Sequence, residues 1–392
     1  MNLPLDGIRV LDLSRARTGP FTTQILADFG AEVIKIEPPV QGEPGRHEPP
    51  ILDGYSAYFY SVNRNKKSFT LNLKSEEGKQ IFKKLAAKSD VILDQFRPGV
   101  MERLGLGYEE LKKENNRLIY CALSGFGNTG PMKNWAGHDI NLQSLSGLLG
   151  LTGAKNGKPA ISQVPLAGFA GGTMFAVTAI LLALIAREKT GQGQFCDISM
   201  LDSAVSYLTT GIAAWTGWGK SLEMGNDTLT GKYAFYNIYE TADNRFVSLG
   251  AIEKKFWVNF CEKIGVPEYI ELQWDESKQE EIIGRIQEII KSKPLSYWVD
   301  LLENEDSCFT PLLTLEEMAS HPQIKDREMI IEAPVNGPNG PLLLTGTPIK
   351  LSQTPAQINL NFSDTGEHNQ ELLLSLGYSE EEIEKFNKQG II

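Results

Sequence analysis

The sequence predicts an α/β protein whose main feature is a parallel sheet, with a separate α+β region set into the chain before it returns. Three observations carry this. Residues 8–13 (Ile-Arg-Val-Leu-Asp-Leu) and 32–37 (Glu-Val-Ile-Lys-Ile-Glu) are apolar runs on either side of a helical segment that opens at Gly19-Pro20 and closes at Phe29-Gly30. Strands joined by a helix of that length pair in parallel. The alternation continues through strands at 91–94 and 118–123, as in layered α/β domains. The pattern then changes in the Gly- and Thr-rich stretch 215–232, and the Pro/Gly-rich run 334–341 reads as a linker back. At 392 residues the chain exceeds the size at which one core stops growing, so the expected division is 1–214, 215–333 and a return segment 334–392.

Pro20 suits a first helical turn, and Gly30 suits the position just past a helix end. No Gly-x-Gly-x-x-Gly follows the first strand, so the dinucleotide fingerprint is absent. Residues 38–60 read as a long loop. Asn63-Arg64-Asn65-Lys66-Lys67-Ser68 is the densest basic cluster of the chain and leads into a strand at 69–73. Its composition fits a solvated loop or a phosphate-binding patch. Ser75 can cap a helix through Ala87, with Glu76 and Glu77 at its positive end. Phe96-Arg97-Pro98-Gly99 follows the strand at 91–94, in the kind of strand-end loop where open sheets bind ligands.

Gly137-His138-Asp139-Ile140-Asn141 puts a His-Asp pair at the start of an apolar helix. Such a pair is a candidate acid/base site, and equally an ordinary helix start with Asp139 as its cap. Residues 164–186 are uncharged and long enough to span a bilayer. With Pro165, Gly168, Gly171 and Gly172 at its beginning and no second span to pair with, the run reads as a buried helix over 171–187, the glycines making a tight turn before it. A strand at 195–199, a helix from Leu201, and a hairpin of 236–240 with 245–250 follow. Glu253 then opens a helix with Phe256, Trp257, Phe260 and Ile264 on one face, where a carboxylate is also simply favourable with the helix dipole. Helices at 276–291 and 295–303 complete the α+β region, and Ser379-x-x-Glu382 is a capping box in the tail.

The net charge of −11 argues against nucleic-acid binding, which needs a basic face. The four cysteines lie far apart without metal or redox spacing, so no metal is expected, and they read as buried thiols of a reducing compartment. The N-terminus has neither a basic nor an apolar leader pattern, so a cytoplasmic protein without a membrane partner is expected.

With these residues laid out, the chain resembles the family III CoA-transferases (CaiB/BaiF-like), a superfamily that also contains 2-methylacyl-CoA racemase. The likeness runs through Val10-Leu-Asp-Leu with Gly19-Pro20, Ala27 to Glu37, Asn63 to Ser68, Phe96 to Gly99, Ser124-Gly-Phe-Gly127, Gly137-His-Asp139, Thr190-Gly-x-Gly-Gln194 and Gly366-Glu-His368. It implies a Rossmann-like large domain made of both chain ends, a smaller inserted domain, and two chains interlocked as a dimer. It further implies CoA or acyl-CoA as substrate, no permanently bound cofactor, a carboxylic acid as second substrate, and a CoA pocket drawing on Arg15, Arg64, Lys66 and Arg97.

The resemblance implies one of two chemistries. Transferases use an aspartate that attacks the thioester, a case of covalent catalysis; racemases use a histidine and carboxylates to exchange the α-proton. The racemase pattern maps onto His138 and Glu253, while Gly168 stands in the place of the aspartate that both chemistries use. Three readings follow: an aspartate-lacking subunit of a heteromeric transferase, a racemase or isomerase with His138 and Glu253 exchanging the proton and Asp139 substituting, or a non-catalytic acyl-CoA-binding dimer.

Overall fold

The inner strands of the central sheet are covered on both faces, which is why residues 10–13, 91–94 and 119–124 are largely apolar runs. The computed structural model describes residues 3–392. Strands β1 (Arg9–Leu13), β2 (Glu32–Glu37), β3 (Lys66–Thr70), β4 (Val91–Asp94), β5 (Ile119–Ser124) and β6 (Phe195–Ser199) form one sheet in the order β3-β2-β1-β4-β5-β6, every pair parallel. That doubly wound order reverses between β1 and β4, and ligands bind at such a reversal, outside the carboxyl ends of the strands.

Register divides the side chains between two cores. Leu11 lies beside Ile34 and Ile92, and Val10 beside Val33 and Val91. The first set joins Phe82 and Leu85 of helix α2 (Glu76–Ala87) and Leu372 and Phe386 from the C-terminal end. The second joins Leu26 of helix α1 (Thr18–Asp28) and Ala176, Ile180 and Leu184 of helix α3 (Met174–Thr190). Local chemistry sets the helix ends. Ser75 Oγ accepts the Gly78 N–H at 3.0 Å, and the Ser379/Glu382 capping box is formed on both sides.

The chain forms two compact units, one of residues up to 146, 162–207 and 322 onward, the other of 147–161 and 208–321. The second unit has its own antiparallel sheet of β7 (Tyr236–Glu240), β8 (Phe246–Gly250) and β9 (Phe309–Pro311), with β8 in the middle. Trp257, Phe260, Ile282, Ile286 and Trp298 are packed in its core.

Four local expectations are corrected. The strand expected at 69–73 begins at Lys66, so the basic cluster enters the sheet. Residues 38–60 are not a bare loop: they hold a single turn at Pro44–His47, a small hairpin of Ile51–Leu52 with Tyr55–Ser56, and a helix at Ala57–Val62 capped by Ser56. The run 334–341 is part of a hairpin, β10 (Ile330–Gly337) with β11 (Gly340–Thr345), and a register shift between Glu332 and Asn336 accommodates Pro334 in its strand. Of the thiols, Cys121 and Cys261 are buried but Cys196 is half-buried and Cys308 exposed.

Candidate active site

The loops after β1 and β4 meet at the sheet's reversal point. The Arg15 N–H donates to Gln95 Oε1 at 3.0 Å, and the Arg15 guanidinium sits 4.7 Å from the centre of the Phe96 ring. Between them Ala16 takes φ 60°, a left-handed conformation that a non-glycine residue holds only where its surroundings impose it. Arg15 and Phe96 line a cavity of about 710 Å³ with Lys74 and Arg103, under Pro38, Pro39 and Val40. A smaller one of about 200 Å³ lies between Arg97, Lys133 and Gly137. Sequence reasoning singled out Arg15 and Arg97; it missed Lys74, Arg103 and Lys133, which stand alone in the sequence and carry no pattern.

Arg64 and Lys66 are placed elsewhere. Arg64 is buried and grips Asp28 with two hydrogen bonds of 3.0 and 2.8 Å, its third donor reaching the Thr345 carbonyl at 2.8 Å. Burial outweighs the Arg64 guanidinium here, so the Asp28 carboxyl is raised above its ordinary value. Lys66 Nζ donates to Asp12 Oδ2 at 3.1 Å, Asn63 Oδ1 at 2.9 Å and the Pro20 carbonyl at 2.7 Å, so all three of its protons are used inside the fold. Burial brings the Lys66 ammonium down to about 8. Burial alone would raise Asp12, but Lys35 and Lys66, with hydrogen bonds from Ser14 and Thr23, hold its carboxyl well below the usual range. These cations lock β1, β3 and α1 together: Lys66 has no proton left for a phosphate, and Arg64 is buried on Asp28.

The glycine-rich stretch also differs from expectation. Leu166–Thr173 is not a tight turn but a π-helical segment that runs directly into α3. Its glycines are needed for close approach: a Cβ at Gly171 would lie 2.7 Å from Ser203 Cβ, and one at Gly172 2.9 Å from Met200 Cγ. π-helical turns are rare and occur often at functional sites.

Gly168, in this segment, is buried, and its N–H donates to Asp139 Oδ1 at 2.9 Å. The other Asp139 oxygen accepts from Gln143 Nε2. Asp139 begins the helix Asp139–Ser146 but does not cap it; the His138 N–H donates to Asn141 Oδ1 at 2.9 Å instead. The His138 side chain is exposed. Glu253 sits at the N-cap of the helix Lys254–Ile264 without a capping hydrogen bond, its side chain exposed. His138 belongs to the first unit and Glu253 to the second. The structure thus brings Asp139 to Gly168 and sets Arg15 and Arg97 on neighbouring loops.

Fold and site define a doubly wound α/β protein with a cavity lined by Arg15, Lys74 and Arg103 at its reversal point and a π-helical glycine segment braced by Asp139. The chain belongs to CoA-transferase family III, whose family model matches residues 5–369. It is thereby an enzyme of the CoA-thioester type. It is 36% identical over 357 residues to the acetyl-CoA:oxalate CoA-transferase of Acetobacter aceti, covering 89% of each chain. It is 35% identical over 405 residues to the alpha-methylacyl-CoA racemase of Homo sapiens, covering 100% of this chain and 98% of that one. Among solved structures, a CAIB/BAIF family protein from Brucella suis superposes with a TM-score of 0.83 at 29% identity, covering 96% of this chain and all of the other.

Proposed function

We propose that this chain binds an acyl-CoA at the β1/β4 reversal point and forms no acyl-enzyme by itself, so that moving CoA between carboxylic acids requires a homologous partner chain that supplies the aspartate. The observation that carries this is Gly168 with its N–H held by Asp139. In transfer, a carboxylate oxygen attacks the thioester carbonyl and expels the CoA thiolate, leaving a mixed anhydride. Gly168 has no oxygen to attack with, and both oxygens of the nearest carboxylate are engaged in the fold. Arg15, Lys74, Arg97 and Arg103 line the two cavities and supply the positive charge that a CoA phosphate needs in an acidic chain.

A second chain is supported by the outer side of α3, where Leu181, Leu182 and Ile185 are exposed, the last two at 61% and 57%. An apolar strip of that kind marks an interaction surface. The homodimer or heteromer we propose is interlocked, with the small unit inserted in the large one, and the four free thiols suit the cytoplasm.

A second reading is α-proton exchange on a branched acyl-CoA. Among the described residues neither the His138 ring nor the Glu253 carboxylate has a hydrogen-bond partner, so both are open to a substrate. Purified chain should be assayed for CoA transfer alone and together with an aspartate-bearing homologue, and for solvent deuterium entering the α-carbon of a 2-methylacyl-CoA. Transfer only in the pair supports the first reading, and rapid transfer by the chain alone ends it. Exchange that disappears in His138→Ala supports the second.

A further inference from the structure

Thr18 is seated against two glycines of the π-helical segment. A Cβ at 168 would stand 2.8 Å from Thr18 Oγ1, and one at 172 would stand 3.1 Å from Thr18 Cγ2. The Thr18 backbone is tied to the same segment, since its carbonyl accepts from Thr173 Oγ1 at 2.8 Å as well as from Thr22 Oγ1 at 3.1 Å. With the backbone fixed, the side chain has three staggered states. The observed one aims the hydroxyl at position 168 and the methyl at position 172. Of the other two, one puts the methyl where the hydroxyl now is. Only the last clears position 168, and it does so by turning the hydroxyl toward Gly172. Thr18 therefore occupies the space in which any side chain at 168 would have to begin.

The Thr18 hydroxyl makes no hydrogen bond to any described residue, and the side chain is partly open to solvent. A free donor thus stands at the point where the motif order calls for a carboxylate.

We propose that the Thr18 hydroxyl donates a hydrogen bond to the acyl carbonyl oxygen of the bound thioester, and that Gly168 is the room this hydroxyl requires. The inference rests on the reading of the chain as an acyl-CoA enzyme. On this account the site is rebuilt, not merely short of one group: a neutral donor that holds and polarises the carbonyl replaces a nucleophile that would be acylated. No bond to the protein forms or breaks, and Thr18 keeps its proton throughout.

The test compares Thr18→Val, of the same shape without the hydroxyl, with Thr18→Ser, which keeps it, by calorimetric titration of the full-length protein with acetyl-CoA and with free CoA. One net hydrogen bond corresponds to a loss of about 3- to 10-fold in acetyl-CoA affinity for Thr18→Val. Free CoA affinity stays unchanged and Thr18→Ser binds as the parent does. Gly168→Ala, which forces the hydroxyl away, produces the same selective loss. Adding Thr18→Val to it causes no further loss, as two changes that remove one interaction should. Thr18→Val binding acetyl-CoA as tightly as the parent, or losing both ligands equally, overturns the inference while leaving the proposed function standing. A parent protein that binds neither ligand overturns both.

Discussion

Asp139 is a brace for the backbone at Gly168: one carboxylate oxygen accepts the Gly168 N–H at 2.9 Å and the other accepts the side-chain amide of Gln143. A carboxylate bonded in this way positions the π-helical segment, and on the proposed function that is its whole role. The buried Gln143 Oε1 has no partner, which matters for how the site answers substitution.

Asp139→Asn keeps an acceptor for Gly168. When the Gln143 amide turns over, its oxygen accepts from the new Asn amide, and the Gln143 nitrogen takes the place of the oxygen that already lacked a partner, so the contact to position 139 is kept. Stability in urea titration is then within about 1 kcal/mol of the parent, and acyl-CoA binding is kept. Asp139→Ala strands the Gly168 N–H and the Gln143 side chain, and destabilises by roughly 2–4 kcal/mol. Loss of function in the asparagine variant at unchanged stability would show that Asp139 does chemistry.

Arg64 and Arg97 separate structure from binding. Arg64→Ala leaves Asp28 buried without its partner and costs about 3–5 kcal/mol in denaturant unfolding. Arg97→Ala and Arg15→Ala, at exposed positions, change stability by roughly 0.5 kcal/mol or less. They weaken CoA binding, more so at low salt.

Asp94 gives a pH dependence with a defined sign. It accepts the Phe96 N–H at 2.8 Å and the Tyr120 hydroxyl at 2.9 Å, yet burial pushes its carboxyl from the ordinary 3.8 up to about 6. Between those values the folded protein holds a proton that the unfolded chain has released. The Asp94 contribution therefore falls as pH rises from about 4 to about 6. Asp94→Asn keeps the acceptor for the Phe96 N–H and offers its NH2 to the Tyr120 hydroxyl oxygen, without the charge. It is more stable than the parent by on the order of 1–3 kcal/mol at neutral pH. The difference shrinks to nothing near pH 4, which unfolding curves across that window will show.

The glycines of the π-helical segment are not equivalent. Gly171→Ala drives a Cβ to 2.7 Å from Ser203 Cβ, an atom that moves only with its backbone. It lowers stability by about 1–3 kcal/mol. Gly168→Ala meets only the Thr18 hydroxyl, which can turn, so it unfolds at nearly the parent's denaturant concentration.

The sequence states much of the sheet, because short apolar-rich runs between helices read as strands: 32–37, 91–94 and 195–199 coincide with β2, β4 and β6. Capping chemistry at Ser75 and Ser379 is equally local and equally legible. What is hidden is pairing at a distance. Lys66 looks like a surface lysine until Asp12, 54 residues earlier, takes its charge in the interior. Pro334 reads as a chain breaker because the bulge that tolerates it is a property of two strands together. At the site, motif order alone exposes Gly168, but nothing near Thr18 in the sequence says that its hydroxyl fills the glycine's space.

Intact-mass measurement of the purified chain after incubation with succinyl-CoA and with acetyl-CoA, at concentrations shown to saturate binding, tests the central claim most directly. The account predicts saturable binding with no covalent gain in mass and no free CoA. An acyl adduct on any carboxylate of this chain, Asp139 and Glu253 included, would contradict it and make the chain a self-sufficient transferase.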